Sequence, residues 1–312
     1  MSRATGTLAL HYDGTQWTQV TSPSPDPAIN LFNGVDADSE NNVWAVGKAE
    51  GTLTARLDEN TFEAVQSANA GLGSNELNSI SALSANDIWA VGAAEGDSLS
   101  MHWDGASWNL VPVPDLPLNA PLQGVETFSS DDVWAVGFQT DPASLNSSNV
   151  ILHWTGSAWN VVPSPNPGGN SVDKLYDVQG AAPNDIWAVG EHWDRNGSQA
   201  ATILRYTGAT WTEFPNPCGG PLFGVTVLAP NDVWAVGWQS CHFDGISWTQ
   251  IPIPPSGGGP VIKRRLGRRK QRLLRRLQLR LLFLRDPLER EQLGADRAAR
   301  RLPRRSAGAG IE

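Results

Sequence analysis

Five near-copies of one heptapeptide recur along this chain: NNVWAVG ending at Gly47, NDIWAVG at Gly92, DDVWAVG at Gly137, NDIWAVG at Gly190 and NDVWAVG at Gly237. Their tryptophans, Trp44, Trp89, Trp134, Trp187 and Trp234, lie 45 to 53 residues apart. A period of this size restricts a chain to an array of one supersecondary unit, since each copy must bury the same faces against its neighbours. A second motif alternates with the first: HYDGTQW at 11–17, RLDENTF at 56–62, HWDGASW at 102–108, HWTGSAW at 153–159, RYTGATW at 205–211 and HFDGISW at 242–248. A Pro-rich piece follows most copies.

Each unit reads as four short strands. In the second, LNSISAL alternates polar and apolar residues, as a half-buried strand does. Asn86-Asp87 is expected to turn the chain, because both tolerate positive φ. IWAVG is β-branched and aromatic, which suits a buried strand. LSMHW forms the third strand, and Asp104-Gly105 is a hairpin signal. WNLVPVP forms the fourth, and its prolines place it at an exposed edge. Four-stranded units of 40–50 residues predict an all-β chain, an incomplete β-propeller of antiparallel blades. Five full blades are encoded, with two extra strands at the N-terminus, and an intact ring would hold six or seven. Large Trp rings would fill the wide outer gaps between wedge-shaped blades.

The stretch DIWAVG…LSMHWDGASWNLVPVP resembles a kelch-type repeat over residues 7–254, with one glycine after the second strand instead of two. The D-G-x-x-W element is more distantly similar to the Asp-box of sialidase-like propellers. Both resemblances imply the fold, and neither assigns a catalytic residue.

Charge divides the chain. Residues 1–262 carry 6 Lys/Arg and 27 Asp/Glu, whereas residues 263–312 carry 17 and 5. All 14 Trp precede the change. We therefore read 1–257 as the propeller and 258–312 as a basic Arg/Leu-rich tail. An acidic propeller should repel nucleic acid and anionic membrane. No apolar run reaches the ~18 residues of a membrane span. The opening MSRATGTLALHYDG lacks the apolar core of a signal peptide.

The tail admits three readings: a basic helix for nucleic acid or membrane, a disordered extension, or a frameshifted remnant of the next blade. Shifted by one nucleotide, the codons of residues 261–269 permit SSNDVWAVG. Leu266, Leu288 and Leu293 are the tail leucines followed by codons that begin with G, and so can become Trp. They fall where the repeat wants Trp. The frameshift is the reading we adopt, and sequencing the coding DNA near codon 261 checks it.

Candidate chemistry is sparse. His11, His102, His153 and His242 recur in register and Arg56 and Arg205 replace them, so they read as scaffold. The two long connections, Phe138–Asn149 and Glu191–Ala200, do not repeat and should emerge on one face. Phe138, His192, Trp193, Asp194 and Arg195 are the ligand-binding candidates; an aromatic between charges suits a sugar or a peptide carboxylate. Cys218 and Cys241 belong to one blade and are expected to form a disulfide if the chain is exported. No cofactor or metal set is expected. The function expected is a non-catalytic binding or scaffold module at the cell surface or outside the cell, monomeric, recognising protein or glycan. The alternatives are a glycan-active, sialidase-like enzyme fragment, or nucleic-acid or membrane binding through the tail.

Overall fold

The structure, a computed structural model, describes residues 6–116, 119–169, 171–193 and 196–252. The tail and its frameshift reading lie outside the described residues, as do Asp194 and Arg195. Everything described is strand, turn or loop, with no helix.

An N-terminal hairpin of β1 (Ala9–Tyr12) and β2 (Trp17–Val20) comes first. Five four-stranded antiparallel blades follow. Blade one is β3 (Leu31–Ser39), β4 (Asn42–Lys48), β5 (Thr52–Asp58) and β6 (Thr61–Val65). Blade two is β7 (Asn75–Ser84), β8 (Asp87–Ala94), β9 (Asp97–Trp103) and β10 (Trp108–Leu110). Blade three is β11 (Leu122–Ser129), β12 (Asp132–Thr140), β13 (Ser147–Trp154) and β14 (Trp159–Val161). Blade four is β15 (Val172–Ala182), β16 (Asp185–Trp193), β17 (Gln199–Tyr206) and β18 (Trp211–Glu213). Blade five is β19 (Leu222–Ala229), β20 (Asp232–Gly237), β21 (Ser240–Phe243) and β22 (Trp248–Ile251). The first strands of successive blades pack on one another, which makes them the inner strands.

The first turn of each unit differs from the sequence expectation. In blade two, Ala85-Asn86 turns the chain, and Asp87 is already the first residue of β8. Its carboxylate is used elsewhere. Asp87 Oδ1 lies 2.9 Å from His102 Nε2, and the pairs His153–Asp132 (2.7 Å), His242–Asp232 (2.9 Å) and Arg205–Asp185 (2.9 Å) repeat the contact. The same His or Arg also covers the repeat Trp. His153 stacks on Trp134 at 4.1 Å, and the Arg205 guanidinium sits 4.7 Å from the Trp187 ring. His and Arg are interchangeable because both give a flat, polar cover for an indole; Arg205 also meets a carboxylate, whereas Arg56 donates to Asn41 O.

The other side of that indole faces the next blade. Trp44 packs on Trp103 and Trp108, Trp89 on Trp154 and Trp159, Trp134 on Tyr206 and Trp211, and Trp187 on Phe243 and Trp248, with centroids 4.8–5.6 Å apart. One triad of rings therefore seals each inter-blade gap, and truncating its central Trp should cost about 3–5 kcal/mol. Trp234 is half-buried where these four are buried.

The repeat glycine has a steric cause. A Cβ at Gly47, Gly92, Gly137, Gly190 or Gly237 would stand 1.8–2.2 Å from a carbonyl oxygen in, or just before, the inner strand. Just there each inner strand carries a bulge, between Phe32 and Gly34, Leu77 and Ser79, Leu122 and Gly124, Leu175 and Asp177, and Leu222 and Gly224. The extra residue leans the backbone onto the neighbouring strand, and only glycine leaves room.

Candidate functional site

The two long connections emerge where strand one begins and strands two and three join. Much of their length is paired strand: Phe138 pairs with Asn149 and Thr140 with Ser147, while His192 pairs with Ala200 and Trp193 with Gln199. The two hairpins belong to adjoining blades, which touch through a parallel bridge from Ser147 to Val172.

Comparing equivalent positions separates scaffold from what is particular. The bulge residues of the five blades are Asn33, Asn78, Gln123, Tyr176 and Phe223. The first two are scaffold: Asn33 donates its amide to Leu77 O (3.0 Å) and Asn78 to Leu122 O (2.8 Å), each tying one blade to the next. The last two are aromatic and pack on one another at 5.2 Å. The residue after the repeat glycine is Lys48, Ala93, Phe138, Glu191 or Trp238. Here the two aromatic choices, Phe138 and Trp238, fall in blades three and five.

These departures meet. Phe138 lies edge-on to Tyr176 at 6.3 Å, and the Lys174 ammonium stands 4.8 Å over the Phe138 ring. The Tyr176 hydroxyl and the Gln199 amide both donate to the buried Glu191 carboxylate. Burial, followed by that bond, pushes the Tyr176 hydroxyl well above the usual tyrosine range, so it stays a donor. Trp238 is 51 % exposed on the neighbouring blade. Lys174 has no carboxylate within 4 Å among the described residues.

Of the candidates read from sequence, Phe138 lies in this cluster. His192 bonds through Nδ1 to Thr202 Oγ1 at 3.0 Å, and Trp193 is 40 % exposed at the hairpin end. Among the described residues no ring contact joins either to Phe138. Lys174, Tyr176, Gln199, Phe223 and Trp238 were not singled out from sequence. Their signal was the residue type at each blade's bulge and after its glycine, positions that need the register. Cys218 and Cys241 are disulfide-bonded, with Cα atoms 6.2 Å apart. Cys218 lies in the loop before β19, where Pro221 O accepts from the Trp238 backbone N–H at 3.1 Å.

Asp173 supports the same face. It occupies the position of Asn30 and Asn75, whose Oδ1 atoms accept from Asp26 N and Ala70 N and whose amides donate to Asp26 O and Gly73 O. Asp173 Oδ1 accepts from Gly168 N, but its buried Oδ2 has no donor. Burial raises this carboxyl above its ordinary 3.8, against the opposing pull of Gly168 N–H and His192. Its contribution to stability is therefore full below pH 3.8 and lost as pH rises through the raised value. Asp173→Asn should stabilise the fold by about 1 kcal/mol at pH 7 and by almost nothing near pH 4. Urea midpoints at the two pH values check this; a variant no more stable than wild type at pH 7 contradicts it.

Among the described residues, no cluster of three His, Cys, Asp or Glu could hold a metal, and no helix could cross a membrane. No protein family matches the chain, and no curated protein sequence does. Solved structures do. The chain is similar to the WD40 β-propeller domain of Doa1, at 15% identity over 81% of this chain and 78% of that one, with a TM-score of 0.51. It is also similar to U3-55K, at 8% identity over 75% and 70% of the two chains, with a TM-score of 0.51. At these identities the likeness is one of fold: this is an all-β propeller chain. The kelch-type resemblance of its repeats is not carried by these neighbours.

Proposed function

We propose that this chain is a non-catalytic, kelch-like interaction module that binds a partner protein through the face of Phe138, Lys174, Tyr176, Phe223 and Trp238. One observation carries the reading. The side chains that break the repeat gather on one face, and that face also holds Ile29, Leu72, Leu145, Trp193 and Trp238, five of the nine exposed large apolar residues among those described. Clustered exposed apolar groups mark interaction sites, whereas single ones do not. A protein ligand is favoured over a glycan, because the polar atoms that would meet sugar hydroxyls, those of Glu191, Tyr176 and Gln199, are engaged with one another. What remains is an aromatic wall beside an ammonium, suited to an acidic residue flanked by apolar ones.

A sialidase-like reaction lacks support. The described arginines, Arg56 and Arg205, lie over repeat tryptophans and form no cluster. The buried Cys218–Cys241 pair supports an oxidising location, secreted or at the cell surface.

Peptides selected from a random display library test the site. Phe138→Ala and Trp238→Ala should each weaken selected binders about tenfold with a nearly unchanged unfolding midpoint, Trp193→Ala less. Lys174→Gln should abolish any preference for Asp or Glu while Lys174→Arg keeps it. Binders indifferent to all of these changes would place the interface elsewhere.

A further inference from the structure

The N-terminal hairpin is half of a blade. HYDGTQW matches HWDGASW residue for residue in register, so β1 and β2 correspond to β9 and β10. They pack as outer strands do: Ala9 and Val20 are buried in one cluster with Phe32, Val43 and Phe62 of the first blade, and Phe62 N–H donates to Thr21 O at 2.8 Å. In the five full blades two further strands lie inside this pair. Here β1 pairs with β2 alone among the described strands.

A second, independent observation lies at His11. In three full blades the matching histidine Nε2 meets the first carboxylate of strand two, at Asp87, Asp132 or Asp232. Among the described residues the buried Nε2 of His11 has no hydrogen-bond partner. A buried polar atom without a partner is costly. Trp17 beside it is half-buried, while its counterparts Trp108, Trp159, Trp211 and Trp248 are buried.

We propose that the open edge of β1 accepts a two-stranded hairpin of the repeat's own type supplied in trans, and that an Asp-(Ile/Val)-Trp sequence in it is recognised through His11. The Asp would meet Nε2 as Asp87 meets His102, and the Trp would lie under the imidazole as Trp89 lies under His102 at 4.7 Å. Main-chain pairing along β1 would give affinity, and the Asp–His contact would fix register, since a one-residue slip turns the Asp to the opposite face.

The test uses the full chain and a synthetic peptide copying Leu77–Gly92, which holds one strand-one/strand-two hairpin. Binding is read by fluorescence anisotropy, and the unfolding midpoint with and without peptide is read by circular dichroism. The peptide should bind and raise the midpoint. Peptide D87A should bind about tenfold more weakly, as should the wild-type peptide to chain H11Q. The two changes together should cost no more than either alone. A W89A peptide should lose binding while a scrambled one shows none. Absence of peptide binding overturns the proposal. So does binding that ignores both the Asp and His11, which would reduce the edge to a non-specific β-strand acceptor.

Discussion

Gly190→Ala is expected to destabilise the fold by about 3 kcal/mol and to abolish with it any binding at the proposed face. The new Cβ would stand 1.8 Å from Lys174 O, 2.8 Å from Lys174 C and 2.9 Å from Leu175 Cα. All three are backbone atoms, so no rotamer change relieves the clash. The inner strand must move away or lose its bulge, and the bulge is what turns Tyr176 towards Phe138 and Glu191. Gly34→Ala supplies the contrast. Its nearest neighbours stand at 3.2 Å, and one of them is a Val46 methyl that can shift, so a smaller loss is expected. Urea denaturation of the two variants measures the difference. Equal midpoints would mean that the repeat glycine is there for some reason other than close approach.

Loss of the Cys218–Cys241 bond is expected to lower stability by about 3 kcal/mol, the chain-entropy value for a loop of this length. The two cysteines are 23 residues apart and join the loop before β19 to β21. Both are buried in the cluster that holds Trp187, Phe243 and Trp248. The double variant C218A/C241A removes the cross-link with little change in side-chain volume. It should unfold at lower urea, and binding of library-selected peptides should weaken if they contact Trp238, because Gly220 lies against that ring and Pro221 O accepts from the Trp238 backbone N–H. Alkylation and mass measurement under non-reducing conditions establish whether the thiols are blocked in the first place. Free thiols in protein from its native compartment would remove the support for export, and an unchanged midpoint in the double variant would show the bond to be neutral for the fold.

Much of the architecture was legible in the chain because it rests on local rules. Period-two alternation in LNSISAL, the Asp-Gly turn at Asp104-Gly105 and the recurring Trp positions are short-range signals, and repetition averages out their individual ambiguity. The scaffold role of His102, His153 and His242 could also be read, since Arg56 and Arg205 stand at the same position in two other units. The turn at Asn86-Asp87 was misplaced by one residue because sequence cannot show that Asp87 is held by His102. What only the tertiary structure decided is the make-up of the candidate site. Phe138, Lys174, Tyr176, Glu191 and Phe223 come from three blades and meet because inner strands converge. A bulge adds one residue to a strand and so changes which face every later side chain takes. No periodicity in the sequence announces that insertion, and so Tyr176 looks like any other strand residue until its register with Leu175–Gly190 and Asp177–Val189 is known.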